Sequence, residues 1–178
     1  MTHTNLRSLF TDIANAVRAK TGSSAPIVAD AFPSAIADIP TGGGGSEELD
    51  GLIMRTLTSF TGSQSYIDTY AFTGCSSLTT VSFPVCTNIG SNAFFVCSKL
   101  SMVSFPECTN INTYAFASCS SLIEITVGTD YSSVCYLSNS NAFSKCSALT
   151  SIYVPASLLT AYQTSTNWTY YSSKLVGV

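Results

Sequence analysis

The hydrophobic positions between residues 67 and 154 recur with a period of 22 residues. Residues 67–88 read IDTYAFTGCSSLTTVSFPVCTN and residues 89–110 read IGSNAFFVCSKLSMVSFPECTN, while further copies begin at 111 and 141. The Ala-Phe pairs that start at Ala71, Ala93 and Ala115 are 22 residues apart, whereas the next pair, at Ala142, comes after 27. An internal repeat of this length is typical of solenoid proteins, and its third copy carries an insertion.

Each copy predicts one short strand with a single buried face. Its last apolar positions alternate with polar ones, which is the period of a half-buried strand. The corresponding apolar sets are Leu78, Val81 and Phe83; Leu100, Val103 and Phe105; Leu122, Ile125 and Val127; and Leu149, Ile152 and Val154. Proline cannot donate to a strand ladder, so Pro84, Pro106 and Pro155 should end three of these strands.

The rest of each copy should turn the chain back and fill the interior. The turning segment begins at Ile67 in the first copy, and the expected interior rings are Phe72, Phe94, Phe116 and Phe143. Because one coil cannot bury its own apolar face, the coils must stack around a continuous core. Residues 52–57 together with Phe60 predict an irregular first strand, residues 157–163 a short helix, and Trp168 a cover for the last coil.

The repeat resembles the BspA-like class of leucine-rich repeats in its Ala-Phe…Cys-Ser-x-Leu-x-x-Val-x-Phe-Pro pattern, over roughly residues 55–160. The resemblance implies a curved parallel-sheet solenoid and, for many members, adhesion or recognition at bacterial surfaces. Gly128 stands where the pattern has proline, and together with the insertion it leaves the register of the third coil open.

The amino-terminal residues differ from the repeats and predict a helical module. Leu6, Phe10, Ile13 and Val17 are spaced by 4, 3 and 4, which forms a narrow apolar seam on one helix. A second helix is expected near residues 32–38. The seam suits attachment or oligomerisation, and an intramolecular helical hairpin explains it equally well. We therefore predict an α+β chain with a helical module at 1–41, a flexible glycine-rich linker at 42–50, and a leucine-rich-repeat domain with a carboxy-terminal cap at 51–178.

Residues 6–45 resemble a small module of phage and prophage structural proteins, in which it precedes diverse exposed domains. The resemblance rests on LRSLFTDIANAVRAKTG at 6–22, AFPSAIADI at 31–39, and the glycine run after them. It implies a segment that docks on phage particle proteins and displays the domain carried beyond the glycines.

Charge and composition exclude several classes of protein. Only 10% of the residues are charged, the net charge is −3, and the seven cations are scattered, so a nucleic-acid partner is not expected. No apolar run approaches the length of a membrane helix, and the first ten residues lack the apolar core of a secretory signal. Neither cofactor nor metal is expected, because the chain has no CxxC pair and a single histidine, His3.

The seven cysteines recur with the repeat in two ladders, one through Cys75, Cys97, Cys119 and Cys146 and the other through Cys86 and Cys108. We expect them to be small buried hydrophobes rather than ligands or nucleophiles. Cys135 lies in the insertion and is the one expected to be exposed.

Residues between the buried strand positions should face outward on the concave sheet, where leucine-rich repeats commonly bind. This candidate ligand-binding row comprises Thr80, Ser82, Met102, Ser104, Glu124, Thr126, Ser151 and Tyr153. Tyr131 and Tyr136 of the insertion could stack on a sugar ring. A merely solvated sheet face and a tolerated insertion are the competing interpretations.

No catalytic arrangement is visible, because the repeat region has no histidine and no evident carboxylate pair. The leading hypothesis is a non-enzymatic virion protein (a fibre, decoration or receptor-binding component) that binds a bacterial surface glycan or protein. It is expected to be a homo-oligomer, with a trimer as one option. The alternatives are a secreted or cell-surface adhesin, which would need export, and an intracellular interaction module.

Overall fold

The computed structural model describes residues 58–128 and 132–178, which wind through two parallel sheets. The strands in chain order are β1 (Ser59–Thr61), β2 (Tyr66–Ile67), β3 (Thr80–Ser82), β4 (Asn88–Ile89), β5 (Met102–Phe105), β6 (Asn110–Ile111), β7 (Glu124–Val127), β8 (Tyr136–Leu137), β9 (Ser151–Val154) and β10 (Leu175–Gly177). The larger sheet has the order β1-β3-β5-β7-β9-β10, and the smaller one has the order β2-β4-β6-β8. The predicted solenoid with a parallel sheet is confirmed.

Each of the first four coils contributes one strand to each sheet, β9 and β10 extend the larger sheet alone, and the coils stay in register. Val81 pairs with Val103, and Val103 pairs with Ile125. The pairing of Phe105 with Val127 shows that the third coil keeps this register up to the residue before Gly128. The insertion comes after this strand and returns to the solenoid as β8, which pairs with β6.

The core consists of side chains from both sheets and from the turns between them, stacked coil on coil. The Phe72 and Phe94 ring centroids are 4.8 Å apart, those of Phe94 and Phe116 are 5.1 Å apart, and those of Phe116 and Phe143 are 5.4 Å apart, all nearly parallel. Burying a ring of this size contributes about 1.5–3 kcal/mol relative to exposing it. The predicted interior phenylalanines are therefore confirmed as the axis of the fold.

The turns place left-handed residues at recurring positions. One set comprises Tyr70, Asn92 and Tyr114, with φ of 63°, 55° and 58°, and the other comprises Gly74, Val96, Ser118 and Lys145, with φ of 75°, 61°, 63° and 60°. The Val96 amide donates to the Ala117 carbonyl of the next coil at 3.0 Å. These inter-coil bonds help to hold the backbone in a left-handed conformation that costs about 1–2 kcal/mol for a residue other than glycine.

A carboxy-terminal cap closes the last coil. A 3-10 turn at Ala156–Leu158 leads into α1 (Leu159–Thr164), and a second 3-10 segment spans Trp168–Lys174. The 3-10 turn and α1 confirm the predicted short helix. The Trp168 ring centroid lies 6.3 Å from that of Phe143, which confirms the predicted cover. Phe60 lies in the first strand as expected, whereas residues 52–57, the seam of Leu6, Phe10, Ile13 and Val17, the second helix and the linker fall outside the described residues. Within residues 58–128 and 132–178, no helix has both the length and the apolar character needed to span a membrane.

The prediction that Cys135 is exposed is wrong. Its side chain is fully buried, and its Sγ lies 3.8 Å from that of Cys108, so it continues the second cysteine ladder. The cap encloses this cysteine through two hydrogen bonds. The Cys135 amide donates to Tyr162 Oη at 2.9 Å, and Trp168 Nε1 donates to the Cys135 carbonyl at 2.7 Å. The insertion thus returns a thiol to the position that the repeat requires.

The other cysteines behave as the repeat predicts. Six of the seven are buried, Cys146 is partly buried, and none forms a disulfide. Cys97 Sγ donates to the Phe72 carbonyl at 3.0 Å and Cys119 Sγ to the Phe94 carbonyl at 3.1 Å, so this ladder cross-links neighbouring coils. Burial raises the pKa of the Cys86 thiol to about 12, which keeps it neutral at physiological pH.

Candidate binding groove on the six-stranded sheet

Parallel register arranges the outward side chains of the larger sheet in two rows. The first row runs through Ser59, Thr80, Met102, Glu124 and Ser151, and the second runs through Thr61, Ser82, Ser104, Thr126 and Tyr153. Adjacent strands lie about 4.8 Å apart and alternate residues on one strand lie about 6.6–6.8 Å apart, so the two rows form a regular grid. The residues between the rows point into the core, because strand side chains alternate between faces.

The outer face of β1, β3, β5 and β7 is hollowed into a groove of about 270 Å³. Its lining combines both rows with the strand backbone between them. The lining side chains that point outward are Ser59, Thr61, Thr80, Ser82, Met102, Ser104, Glu124 and Thr126. Met102 is the most open of the predicted row, with 53% of its surface exposed. The groove therefore presents six hydroxyls, one thioether and one carboxylate.

The six groove hydroxyls differ from another set of hydroxyls in the solenoid, which donate hydrogen bonds to the backbone of the neighbouring coil. Thr79 donates to the Thr58 carbonyl at 2.7 Å and Ser101 to the Thr79 carbonyl at 3.0 Å, and Thr150 donates to Ile123 at 3.1 Å in the same way. These hydroxyls tie coils together. By contrast, across residues 58–128 and 132–178 the hydroxyls of the groove take part in no hydrogen bond with the protein. They are left available to a ligand.

The structure brings six of the eight predicted row residues together in the groove. Ser151 and Tyr153 lie in the same two rows on β9, but the groove ends at β7 and does not include them. The Ser151 hydroxyl also contacts the Thr150 hydroxyl, at 3.5 Å. The candidate site therefore lies one strand closer to the first coil than the predicted row, on β1, β3, β5 and β7 instead of β3, β5, β7 and β9.

Sequence reasoning missed Ser59 and Thr61 of the groove. They flank Phe60, and the same alternation that identified the other strands would have placed both on the outer face. The signal was weak because the first strand lacks the Ala-Phe and cysteine landmarks of the later copies.

The two tyrosines of the insertion do not join the groove. Tyr131 falls outside the described residues. Tyr136 lies on β8 in the smaller sheet, beside Asn110, and is 62% exposed. Since the two sheets turn their apolar faces toward one core, Tyr136 points away from the groove.

The groove is close to electrically neutral. Glu124 is the only charged residue that lines it. In the part of the chain that the structure describes, no cluster of three or more histidine, cysteine or acidic side chains could hold a metal ion. The arrangement can therefore bind by hydrogen bonds and short-range packing, with little long-range electrostatic attraction.

Comparison with known proteins identifies the repeat. Residues 54–174 match the BspA type leucine rich repeat region in six copies. No curated protein matches the chain. A crystal structure of a leucine rich cell surface protein from Faecalibacterium prausnitzii A2-165 is 29% identical with a TM-score of 0.48, and the match covers 56% of this chain and 26% of that one. The T. pallidum leucine rich repeat protein is 32% identical with a TM-score of 0.39, covering 52% of this chain and 53% of that one.

The chain thus spans less than two thirds of the length of either solved structure. The family match, in contrast, includes every strand of both sheets except β10, which begins one residue beyond it. The match also counts six copies of the repeat, whereas four are evident in the sequence. On this match, the chain belongs to the BspA-type leucine-rich repeat family.

Proposed function

We propose that residues 51–178 form a non-enzymatic, adhesin-like recognition domain that binds a bacterial surface through the groove on the larger sheet. The observation that carries the proposal is the set of six outward hydroxyls that make no hydrogen bond with the protein across residues 58–128 and 132–178. The groove gathers these hydroxyls on one face, together with Met102 and Glu124. Recognition at bacterial surfaces is also the role that the repeat family implies.

The chemistry of the groove favours a neutral, polar ligand such as a surface glycan or an uncharged protein patch. A hydroxyl can both donate and accept a hydrogen bond, so a grid of them suits a ligand that also carries hydroxyls or amides. Met102 offers an adaptable apolar contact at the centre of the groove. Neither nucleic acid nor a lipid bilayer fits this surface, since both favour clustered cations.

The absence of catalysis is part of the proposal. Glycoside hydrolysis by the usual route needs two carboxylates on opposite sides of the scissile bond, and Glu124 is the only acidic residue that lines the groove. Asp68 lies on the turn after β2, in the other sheet. The groove is accordingly assigned to binding alone.

The test is binding of the labelled full chain to a panel of intact Gram-positive and Gram-negative bacteria, with a variant that fills the groove. Ser104→Lys combined with Thr126→Lys places two long side chains in the groove without touching the core. The matched control is Ser157→Lys with Thr160→Lys, which makes the same two changes at exposed positions of the cap. We expect the groove variant to lose at least tenfold in cell binding while the control binds normally. Equal binding by both variants, or no binding by the unaltered chain to any strain, would refute the proposal.

A second candidate is display of the same domain on a phage-derived particle. The observation in its favour is the resemblance of residues 6–45, with their glycine run, to an attachment module of phage structural proteins. In this version residues 1–41 attach to particle proteins and form a homo-oligomer, and residues 42–50 act as a flexible linker. The groove would bind the same ligand in both versions. The difference is that the domain is displayed on a phage-derived particle instead of on a cell surface.

Fractionation of an induced producing culture separates the two carriers. Antibody signal in the cell envelope supports the surface protein, whereas co-sedimentation with particles on a density gradient supports the virion component. Signal confined to the soluble fraction would contradict both and favour the intracellular module. Light scattering of the full chain beside residues 46–178 tests the oligomer, because only the full chain should be larger than a monomer.

A further inference from the structure

The smaller sheet carries an outward row that the groove does not use. Register places Tyr66, Asn88, Asn110 and Tyr136 side by side on β2, β4, β6 and β8. The residues next to them in the chain, Ile67, Ile89, Ile111 and Leu137, are buried in the core, so the row faces away from the molecule. We call these four residues the Tyr/Asn row.

From the Tyr/Asn row we infer a second binding site, specific for a neutral oligosaccharide that lies across the four strands. The two tyrosines would stack on sugar rings at either end, and the side-chain amide nitrogens of Asn88 and Asn110 between them would donate hydrogen bonds to sugar hydroxyls. The site is separate from the groove, because the two sheets present opposite outer faces around one core.

The exposed aromatic rings are the first argument. Tyr66 is 43% exposed and Tyr136 is 62% exposed, although apolar rings are stabilised by burial. Three strand spacings separate them, about 14 Å. That distance suits an extended oligosaccharide and is too long for both rings to hold one monosaccharide. Tyr70 and Tyr114, also exposed, lie in the turns after β2 and β6.

Asn110 supplies an independent argument. Its Oδ1 is shielded from water and accepts no hydrogen bond within residues 58–128 and 132–178. A polar group left in this way lowers stability, and asparagine is also a poor strand residue. A β-branched residue at this position would be more stable, so we attribute the asparagine to a role in binding, which often opposes stability. The group that would bind is the amide nitrogen, because an oxygen that is shielded from water is closed to a sugar as well. The same holds for Asn88, whose Oδ1 already accepts a hydrogen bond from Asn112 Nδ2 at 2.9 Å.

The lack of charged side chains in the Tyr/Asn row narrows the class of ligand further. None of the four residues of the row is charged, and neutral amides and phenols match the neutral hydroxyls of a hexose chain. An acidic peptide or a nucleic acid would lack a cation to bind. The backbone beneath the row is held by inter-coil hydrogen bonds, such as Gly90 N to the Ile67 carbonyl at 2.8 Å, so the rings sit on a rigid platform.

The experiment is a titration of the ¹⁵N-labelled full chain with cellohexaose, chitohexaose and β-1,4-mannohexaose, monitored by amide NMR. We expect at least one of the three to shift amides of residues 66–67, 88–89, 110–111 and 136–137 and to leave those of the groove strands unchanged. Tyr66→Ala and Tyr136→Ala should each weaken that binding about tenfold, which is typical for truncation of an aromatic anchor. Tyr136→Phe, which keeps the ring, should bind nearly as the unaltered chain does.

Two controls keep the result specific. Tyr170→Ala removes an exposed ring from the cap, outside both sheets, and should not change binding. Asn110→Val should raise thermal stability and still weaken binding, a combination that a purely structural asparagine would not give. The inference is overturned if no probe shifts the row, if the shifts fall only on the groove strands, or if Asn110→Val binds normally. None of these outcomes bears on cell binding through the groove, which the lysine variants test separately.

Discussion

Gly90→Ala should be among the most damaging small substitutions in the solenoid. Gly90 lies immediately after β4, where the first and second coils approach each other closely. A Cβ at this position would lie 2.6 Å from the Asp68 carbonyl carbon, 2.6 Å from the Thr69 nitrogen and 2.7 Å from the Ile67 oxygen. All three are backbone atoms, so no side-chain rotation can relieve the overlap.

The magnitude depends on how far the backbone must move. An ordinary carbon contact needs about 3.5 Å, so the two coils must separate by nearly 1 Å at this point. That displacement breaks or weakens the 2.8 Å bond from Gly90 N to the Ile67 carbonyl. Overpacking of this kind costs about 1–3 kcal/mol and a lost hydrogen bond about 0.5–1.5 kcal/mol. We expect Gly90→Ala to lower the free energy of unfolding by about 2–4 kcal/mol.

The assay is urea unfolding monitored by circular dichroism, with Gly74→Ala as the control. At Gly74 a new Cβ meets nothing within 4 Å, so only its left-handed φ of 75° opposes the change. The control should therefore lose only about 1–2 kcal/mol. If Gly90→Ala were as stable as the unaltered chain, or less affected than Gly74→Ala, the close contact of these coils would be refuted.

Three further perturbations test other parts of the fold. Val96→Asn should stabilise the chain by about 1 kcal/mol in the same urea assay, because a β-branched residue is poorly suited to a φ of 61°; a loss of stability would contradict this. Tyr162→Phe should lower stability by about 1–3 kcal/mol, because it leaves the buried Cys135 amide without its acceptor, and an unchanged unfolding midpoint would show that the bond is dispensable. Alkaline pH should also destabilise the fold. The pKa of Cys86 is raised to about 12 when folded, so its contribution is complete below the ordinary thiol pKa near 9 and decreases as pH rises from there toward 12. Between these two pKa values, Cys86 should lower the free energy of unfolding by about 1.4 kcal/mol per pH unit. In Cys86→Ala this contribution should be absent from the unfolding free energies measured between pH 8 and 11.

The larger sheet could be predicted from the sequence because its signal is long and repeated. The Val-x-Phe alternation, the prolines after it and the 22-residue step together determine which residues face inward, and the register observed between Val81, Val103 and Ile125 agrees with that pattern. Six of the eight outward residues expected to bind lie in the groove for the same reason.

The smaller sheet could not be predicted in this way. Its strands are two residues long, and two residues cannot display an alternation. Ile67 and its equivalents are recognisable in the sequence only as part of a turning segment. The Tyr/Asn row is equally hard to detect, because its members differ from coil to coil.

The insertion misleads for a related reason. A non-repeating segment suggests an exposed loop, and with it an exposed Cys135. The burial of that cysteine depends on Tyr162 and Trp168, which lie 27 and 33 residues further along the chain. Contacts over such distances leave no local pattern in the sequence.

Oxidation of Met102 on the bacterial surface tests the proposed binding groove most directly. Met102 is the only methionine among the groove residues, and 53% of its surface is exposed in the free chain. The measurement is the rate at which dilute hydrogen peroxide converts it to the sulfoxide, read by mass spectrometry, for the chain free in solution and bound to the strain that retains it best. Binding through the groove predicts that the bound chain is oxidised at least several-fold more slowly at this residue. Equal rates in the two states would place the contact elsewhere on the molecule and contradict the account.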